Sequence, residues 1–184
     1  MKHILKPGLT LFAVAAVITA LLALSHALTR EPIENQVKRT LENTKRDIFT
    51  NAVRFEELAD AETGDIVRAY ECFDAGDASL GFILEMAPAG YGGAIQMMVG
   101  ISSADGTVAG VRILKHSETP GLGALAARES FYRKFDGRDL APLTVVKGFP
   151  GPGEIDAITG ATITTRAVTD AVNEAMLWYA EVAK

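Results

Sequence analysis

The 184-residue chain has a single cysteine, Cys72, and only three histidines. One thiol cannot close an internal disulfide, and it excludes a multi-cysteine zinc or iron–sulfur site built by this chain alone. Cys72 is interpreted as a small buried hydrophobe, and His116, which stands alone, as a structural or surface residue. The HExxH, Walker, GxSxG and GxGxxG patterns are also absent from the sequence, which argues against a hydrolase and a metal enzyme. We therefore predict no metal site.

Charge is absent from residues 7–29, between Lys6 and Arg30. A helix needs about 20 apolar residues to cross a bilayer, and a helix satisfies its own backbone amides in hydrocarbon. A cleaved signal peptide is the alternative, because a Ser-His-Ala sequence at 25–27 fits the small-x-small cleavage pattern. The apolar region of a signal peptide usually has about 7–15 residues. The longer segment therefore favours a retained transmembrane anchor over 7–29, behind a cytoplasmic tail of residues 1–6.

Basic residues stand on both sides of this anchor, so the positive-inside rule does not by itself decide its orientation. Lys2 and Lys6 precede it, and five further lysines or arginines lie within 30–46. A long translocated domain largely escapes the rule, and a short tail most easily stays in the cytoplasm. We therefore expect the body of the protein, residues 51–184, to lie outside, in a periplasm-like space.

The body of the chain is acidic. All 23 acidic residues but only 16 of the 18 basic residues lie beyond Lys6, which leaves a net charge of −7 there. Binding of a phosphate backbone requires a basic surface. The charge balance therefore argues against nucleic acid as a partner.

Hydrophobic periodicity predicts an α+β body, in which a small antiparallel sheet is packed with helices. A membrane-proximal helix is predicted at 30–50, with Pro32 in its first turn. Further helices are predicted at 122–135 and 165–180. The alternating Pro and Gly residues at 150–153 must form a loop.

The predicted strands are 66–73, 80–86, 95–101, 108–114 and 143–146. Apolar residues alternate along 95–101, which is typical of a half-buried strand. The Asp105-Gly106 pair that follows predicts a hairpin turn leading into the return strand.

Glycine and threonine are concentrated in three short clusters, at 90–93, 118–123 and 156–165. Each cluster alone is typical of turns, bulges or helix caps. The third cluster indicates a binding site as well as a cap. Four threonines and a glycine accompany the start of the last helix, and the free amides and dipole of that helix favour an anion. Gly160 and Ala161 let a bulky phosphate approach the backbone. The residues predict a phosphate site here and leave open which phosphate binds and whether it is bound covalently.

The three clusters resemble signatures of a known family. Residues 156–162, Asp-Ala-Ile-Thr-Gly-Ala-Thr, match the flavinylation pattern Asp-x-x-(Ser/Thr)-Gly-Ala-Thr of the FMN-binding domain in the G subunit of the Rnf electron-transport complex. The related C subunit of the sodium-translocating NADH:quinone reductase shares this pattern. Residues 90–93 and 116–123 are similar to the family's two other signatures. The chain's length and its lack of a long insertion make the Rnf protein the closer match.

This resemblance implies that FMN is joined through its phosphate to Thr162 by a separate flavin transferase. Thr164 stays open as an alternative, because it can be the acceptor or the helix cap. Asp156 is expected to orient the loop or to serve the transferase, and Tyr91 to stack on the ring or to pack. The other expected FMN-binding residues are Glu118, Thr119, Gly121, Leu122 and Gly123 in the second cluster, and Thr159, Gly160, Ala161 and Thr165 in the third.

The implied function is electron transfer through covalent FMN in a complex that couples ferredoxin/NAD-type redox chemistry to ion translocation. The chain is then part of an enzyme only as one component of that complex, in the bacterial inner membrane. Its expected partners are other membrane and redox subunits, the flavin transferase and the lipid bilayer. The alternatives are a membrane-anchored flavin sensor, the C-type subunit of the quinone reductase, and a binding domain without a cofactor. One helix without an intramembrane acid cannot conduct ions, so translocation is expected to belong to the partners.

Overall fold

The computed structural model describes residues 2–59, 61–139 and 142–182. The chain divides into two compact units, with the division between Glu42 and Asn43. Helix α1 (Lys2–Ile48) supplies the first unit, and its last residues belong to the second. The second unit contains the sheet and the remaining helices.

Helix α1 runs without a break through the predicted anchor and the predicted membrane-proximal helix. Pro7 and Pro32 both lie inside it, so a separate helix beginning near Pro32 is not observed. A proline inside a helix removes one backbone hydrogen bond, and this long helix continues past both prolines. Its large apolar side chains between 9 and 28 are exposed, and the helix is long and apolar enough to cross a membrane. These features support a membrane-anchored protein.

Five antiparallel strands form the main sheet of the second unit, and their order in the sheet is their order in the chain. They are β1 (Arg54–Leu58), β2 (Ile66–Phe73), β3 (Ser79–Met86), β4 (Gln96–Ser102) and β5 (Val108–Lys115). The predicted α+β fold is confirmed, although β1 was not among the predicted strands. The predicted hairpin also forms, since Gly106 has a φ of 68° and its N–H donates to the Ser102 carbonyl at 3.0 Å.

The segment after the sheet is irregular, so the prediction of one helix over 122–135 is wrong. A 3-10 helix (Gly123–Ala127) is followed by the single-turn helix α2 (Glu129–Tyr132) and a second 3-10 turn (Arg133–Phe135). The interruption falls at Arg128, whose ψ of 144° is extended. Extended backbone cannot continue the hydrogen bonds of a helix.

A second, two-stranded sheet leads to the last helix. Strand β6 (Thr144–Val146) pairs in parallel with β7 (Glu154–Asp156), and the predicted loop at 150–153 lies between them. Sequence periodicity predicted β6 but neither β7 nor a parallel pair. Helix α3 (Thr162–Val182) follows β7 after a five-residue loop, 157–161.

Helix α3 and the end of α1 account for the burial of both sheet faces. Buried apolar residues of α3, such as Val168 and Val172, belong to one core with Val99 of β4. On the other face, a side chain at Gly100 would collide with Ile48, the last residue of α1. Strand β4 is therefore buried on both faces, with Met98 fully buried as well as Val99, and the prediction of a half-buried strand is wrong.

Candidate functional site

The loop between β7 and α3 is held against the helix by side-chain and backbone hydrogen bonds. The Thr165 hydroxyl donates to the Ala161 carbonyl at 2.9 Å and accepts the Ile158 N–H at 3.1 Å. Gly160 has a φ of 77°, a conformation that glycine adopts without strain. In a helix that begins at Thr162, the first amides have no acceptor within the helix. They give this end of α3 a partial positive charge.

The carboxylate of Glu118 joins the three glycine and threonine clusters. Its side chain is 6% exposed. One oxygen accepts the N–H of Gly92 at 2.8 Å, and the other accepts the hydroxyl of Thr164 at 2.6 Å. The backbone N–H of Glu118 donates to Nδ1 of His116 at 3.2 Å, so His116 has a structural role. The start of α3 is thus tied to both other clusters through one residue.

Close packing around this carboxylate explains the glycines on either side of it. A Cβ at Gly123 would collide with a Glu118 oxygen and would lie 2.6 Å from Oγ1 of Thr164. A Cβ at Gly90 would also collide with a Glu118 oxygen. Contacts between carbon and oxygen are not tolerated at such distances. These two glycines are needed for space beside Glu118, because neither has a positive φ.

A cleft of about 800 Å³ opens beside the start of α3, within the range of ligand sites. It is lined by the third cluster from Asp156 to Thr164, by residues of the second cluster, and by Tyr91. Tyr91 is 73% exposed, and Leu122 and Ile163 are also exposed. The cleft therefore combines free amides at one point with apolar and aromatic side chains around it.

A cation completes the cleft. Lys147 and Gly148, which follow β6, line its wall. The N–H of Gly148 donates to Oδ1 of Asp156 at 3.0 Å, so Asp156 holds this segment beside the third cluster. Free amides and an ammonium suit a phosphate, and apolar side chains suit a flat aromatic ring. The residues present therefore fit a flavin mononucleotide.

Comparison with known proteins also indicates an FMN-binding domain. Residues 90–177 match the family model of the FMN-binding domain, and residues 1–48 match that of the RnfG N-terminal region. The chain is 34% identical to the G subunit of the ion-translocating oxidoreductase complex of Methanosarcina acetivorans, over 95% of this chain and 94% of that protein. The chain belongs to the RnfG family. It is also 34% identical to the G subunit of the Na(+)-translocating ferredoxin:NAD(+) oxidoreductase complex of Acetobacterium woodii, over all of this chain and 95% of that one.

The RnfG fold resembles that of two solved structures. NqrC of Shewanella oneidensis superposes with a TM-score of 0.55, at 20% identity over 73% of each chain. The C subunit of the Na(+)-translocating NADH-quinone reductase from Parabacteroides distasonis gives a TM-score of 0.56, at 21% identity over 71% of this chain and 77% of that one. At these identities the likeness concerns the fold.

In this RnfG-family chain, all of the expected FMN-binding residues except Gly121 and Thr165 line the cleft. Gly121 lies in the turn before the first 3-10 helix with a φ of 78°, and Thr165 is fully buried in α3. Thr164 also lies inside α3, with 1% of its surface exposed. Sequence reasoning missed Lys147 and Gly148, whose only signal is that they precede a Pro- and Gly-rich loop. Within the third cluster it also left out three residues that line the cleft, Ala157, Ile158 and Ile163.

Proposed function

We propose that this RnfG-family chain is an electron-transfer subunit that carries FMN covalently on Thr162 within an ion-translocating oxidoreductase complex. The observation that carries the proposal is the position of Thr162. It is the first residue of α3, it lines the cleft, and it is the last residue of the flavinylation pattern.

Among the four threonines of the third cluster, access and bonding favour Thr162 as the acceptor. The Thr164 hydroxyl is buried and donates to Glu118, and the Thr165 hydroxyl is buried and bonded within the loop. Thr162 is only half-buried. Thr159 is exposed, but it precedes the helix start by three residues. Of phosphates attached to these four threonines, the one on Thr162 would lie beside the free amides of α3.

The attachment is an ester formation at the Thr162 oxygen. The hydroxyl oxygen would bond to the flavin phosphorus while a phosphoanhydride bond of an activated flavin nucleotide breaks; the nucleoside monophosphate would leave, and the hydroxyl proton would pass to solvent. A flavin transferase would catalyse this step. The helix amides and Lys147 would then hold the negative charge of the phosphodiester.

The bound flavin would supply the one- and two-electron chemistry, while the protein supplies position and electrostatics. Tyr91, Leu122 and Ile163 would contact the ring and exclude part of the solvent from it. Asp156 would keep Lys147 near the phosphate through its hydrogen bond to Gly148. Covalent attachment would prevent loss of FMN from a cleft that is open to the medium.

The acceptor assignment is tested by flavin fluorescence in denaturing gels, using chain produced together with a flavin transferase. The Thr162→Ala variant should lose the fluorescent band, because it lacks the ester oxygen. Thr164→Val is the matched control, and it should keep a band, weakened only as far as loss of the bond to Glu118 moves the start of α3. A labelled Thr162→Ala protein would contradict the assignment.

The anchor and the family relationship support a place in a membrane complex. We propose that the body lies on the periplasmic side of the inner membrane and that other membrane and redox subunits exchange electrons with the flavin and carry the ion path. Stoichiometric copurification with such subunits distinguishes this carrier from an isolated flavin sensor. A chain that purifies alone from its native membrane, under conditions that keep other complexes intact, would count against the carrier.

A further inference from the structure

Phe149 is the most exposed large apolar side chain that the described residues contain. Its side chain is completely exposed, although water is an unfavourable environment for a phenyl ring. The two residues before it, Lys147 and Gly148, line the cleft, while Phe149 does not. An aromatic side chain thus stands unburied at the edge of the site proposed for a flat aromatic ligand.

Hydrogen bonds hold the backbone on both sides of Phe149, and among the described residues none holds Phe149 itself. The N–H of Gly148 is held by Asp156 at 3.0 Å, and the N–H of Gly151 is held by the Glu154 carboxylate at 2.8 Å. Within the described parts of the chain, no hydrogen bond involves the Phe149 backbone. Gly148, with a φ of 101°, lacks a Cβ and therefore has more conformational freedom than other residues, whereas Pro150 keeps the backbone of Phe149 itself extended. Rotation at Gly148 and about the side-chain torsions of Phe149 can therefore redirect the phenyl ring without breaking either attachment.

We propose that Phe149 covers the flavin ring when FMN is attached to Thr162. Its phenyl ring packs against the ring system, whose other proposed contacts are Tyr91, Leu122 and Ile163. Aromatic rings pair favourably in offset-stacked or edge-to-face arrangements, and the contact removes both from water. The proposal rests on the proposed function, because it needs a flavin in this cleft.

The test uses the full-length, flavin-loaded protein in detergent and measures quenching of native flavin fluorescence by iodide. Phe149→Ala should raise the quenching constant about twofold or more, because iodide then reaches the part of the flavin ring that the phenyl group had kept from water. Leu177→Ala is the matched control, since Leu177 is 64% exposed on α3 and does not line the cleft. It should leave the constant unchanged.

A second variant gives an independent reading. Phe149→Trp should lower native flavin fluorescence, because an indole in contact with a flavin quenches it, and denaturation should restore the signal. The proposal that Phe149 covers the flavin would be overturned by two results together. Wild type and Phe149→Ala would have equal quenching constants at equal flavin loading, and Phe149→Trp would have undiminished fluorescence. A wild-type protein without any gel-fluorescent flavin would instead overturn the proposed function itself.

Discussion

Replacing Glu118 by alanine should loosen all three clusters at once. The side chain accepts hydrogen bonds from the N–H of Gly92 and the hydroxyl of Thr164, at 2.8 and 2.6 Å. Water can replace the carboxylate at Gly92, which is exposed. Water cannot easily reach Thr164, which is 1% exposed, so this hydroxyl would lose its acceptor inside the protein.

The expected loss in free energy of unfolding is about 2–4 kcal/mol. A hydrogen bond to a charged group contributes about 1.5–3 kcal/mol, and a buried group left without a partner costs about 1–3 kcal/mol. Part of this loss is offset, because the variant no longer has to bury a carboxylate. In Glu118→Gln, the amide oxygen can still accept from Gly92 while the amide nitrogen donates to the Thr164 oxygen. This matched variant should lose about 1 kcal/mol or less.

Urea unfolding of the detergent-solubilised chain measures this difference. Trp178 is the only tryptophan, and its ring meets Phe82 edge-on at 5.7 Å, so its fluorescence reports unfolding of the second unit. A double variant with Thr164→Val should lose less than the two single losses added together, because both remove the same hydrogen bond. A loss below about 1 kcal/mol for Glu118→Ala would refute the reasoning, as would equal losses for alanine and glutamine.

Three further predictions concern separate features of the molecule. Gly160→Ala should lower the free energy of unfolding by about 1–2 kcal/mol, because the residue has a positive φ. It should also lower flavin loading, since the new Cβ would lie 3.0 Å from Leu122. Gly153→Ala is its control: it has a similar φ of 75° and open space around it, so it should lose similar stability while flavin loading stays normal. Burial raises the pKa of the Cys72 thiol to about 12, so at pH 8 a thiol reagent should react only after unfolding, and rapid reaction of the native protein would contradict this. Protease should remove the body of the chain from right-side-out membrane vesicles and leave it intact in inverted ones; the reverse result would place the body in the cytoplasm.

Local patterns predicted the elements whose sequences carry strong periodicity. The apolar stripe of α3 and the strands β2 to β5 belong to this class. Strand β1 (Arg54–Leu58) lacks such a pattern, because it is short and partly exposed, and its pairing with β2 is what defines it. Strand β7 has only three residues. Short edge strands of this kind depend on contacts with partners that are distant in sequence, so periodicity could not find them.

The burial of β4 illustrates a different limit. Alternating apolar residues implied one exposed face, but the intervening Met98 and Gly100 are buried too. Gly100 is small because Ile48 at the end of α1 packs against it. Nothing within the strand's own sequence identifies that partner. The error therefore came from contacts with a helix about fifty residues away in the chain.

The candidate site depends on the same kind of distant contact. As separate clusters, 90–93, 118–123 and 156–165 were each consistent with ordinary turns and caps. In the fold, Glu118 accepts hydrogen bonds from the other two clusters, and the glycines at 90 and 123 leave room for its carboxylate. A larger residue at either glycine would push Glu118 away from Thr164 and move the start of α3. The position of Thr162 relative to the cleft is therefore determined by residues that need not touch the flavin, and variants at Gly90 or Gly123 should impair flavin attachment while leaving the acceptor threonine intact.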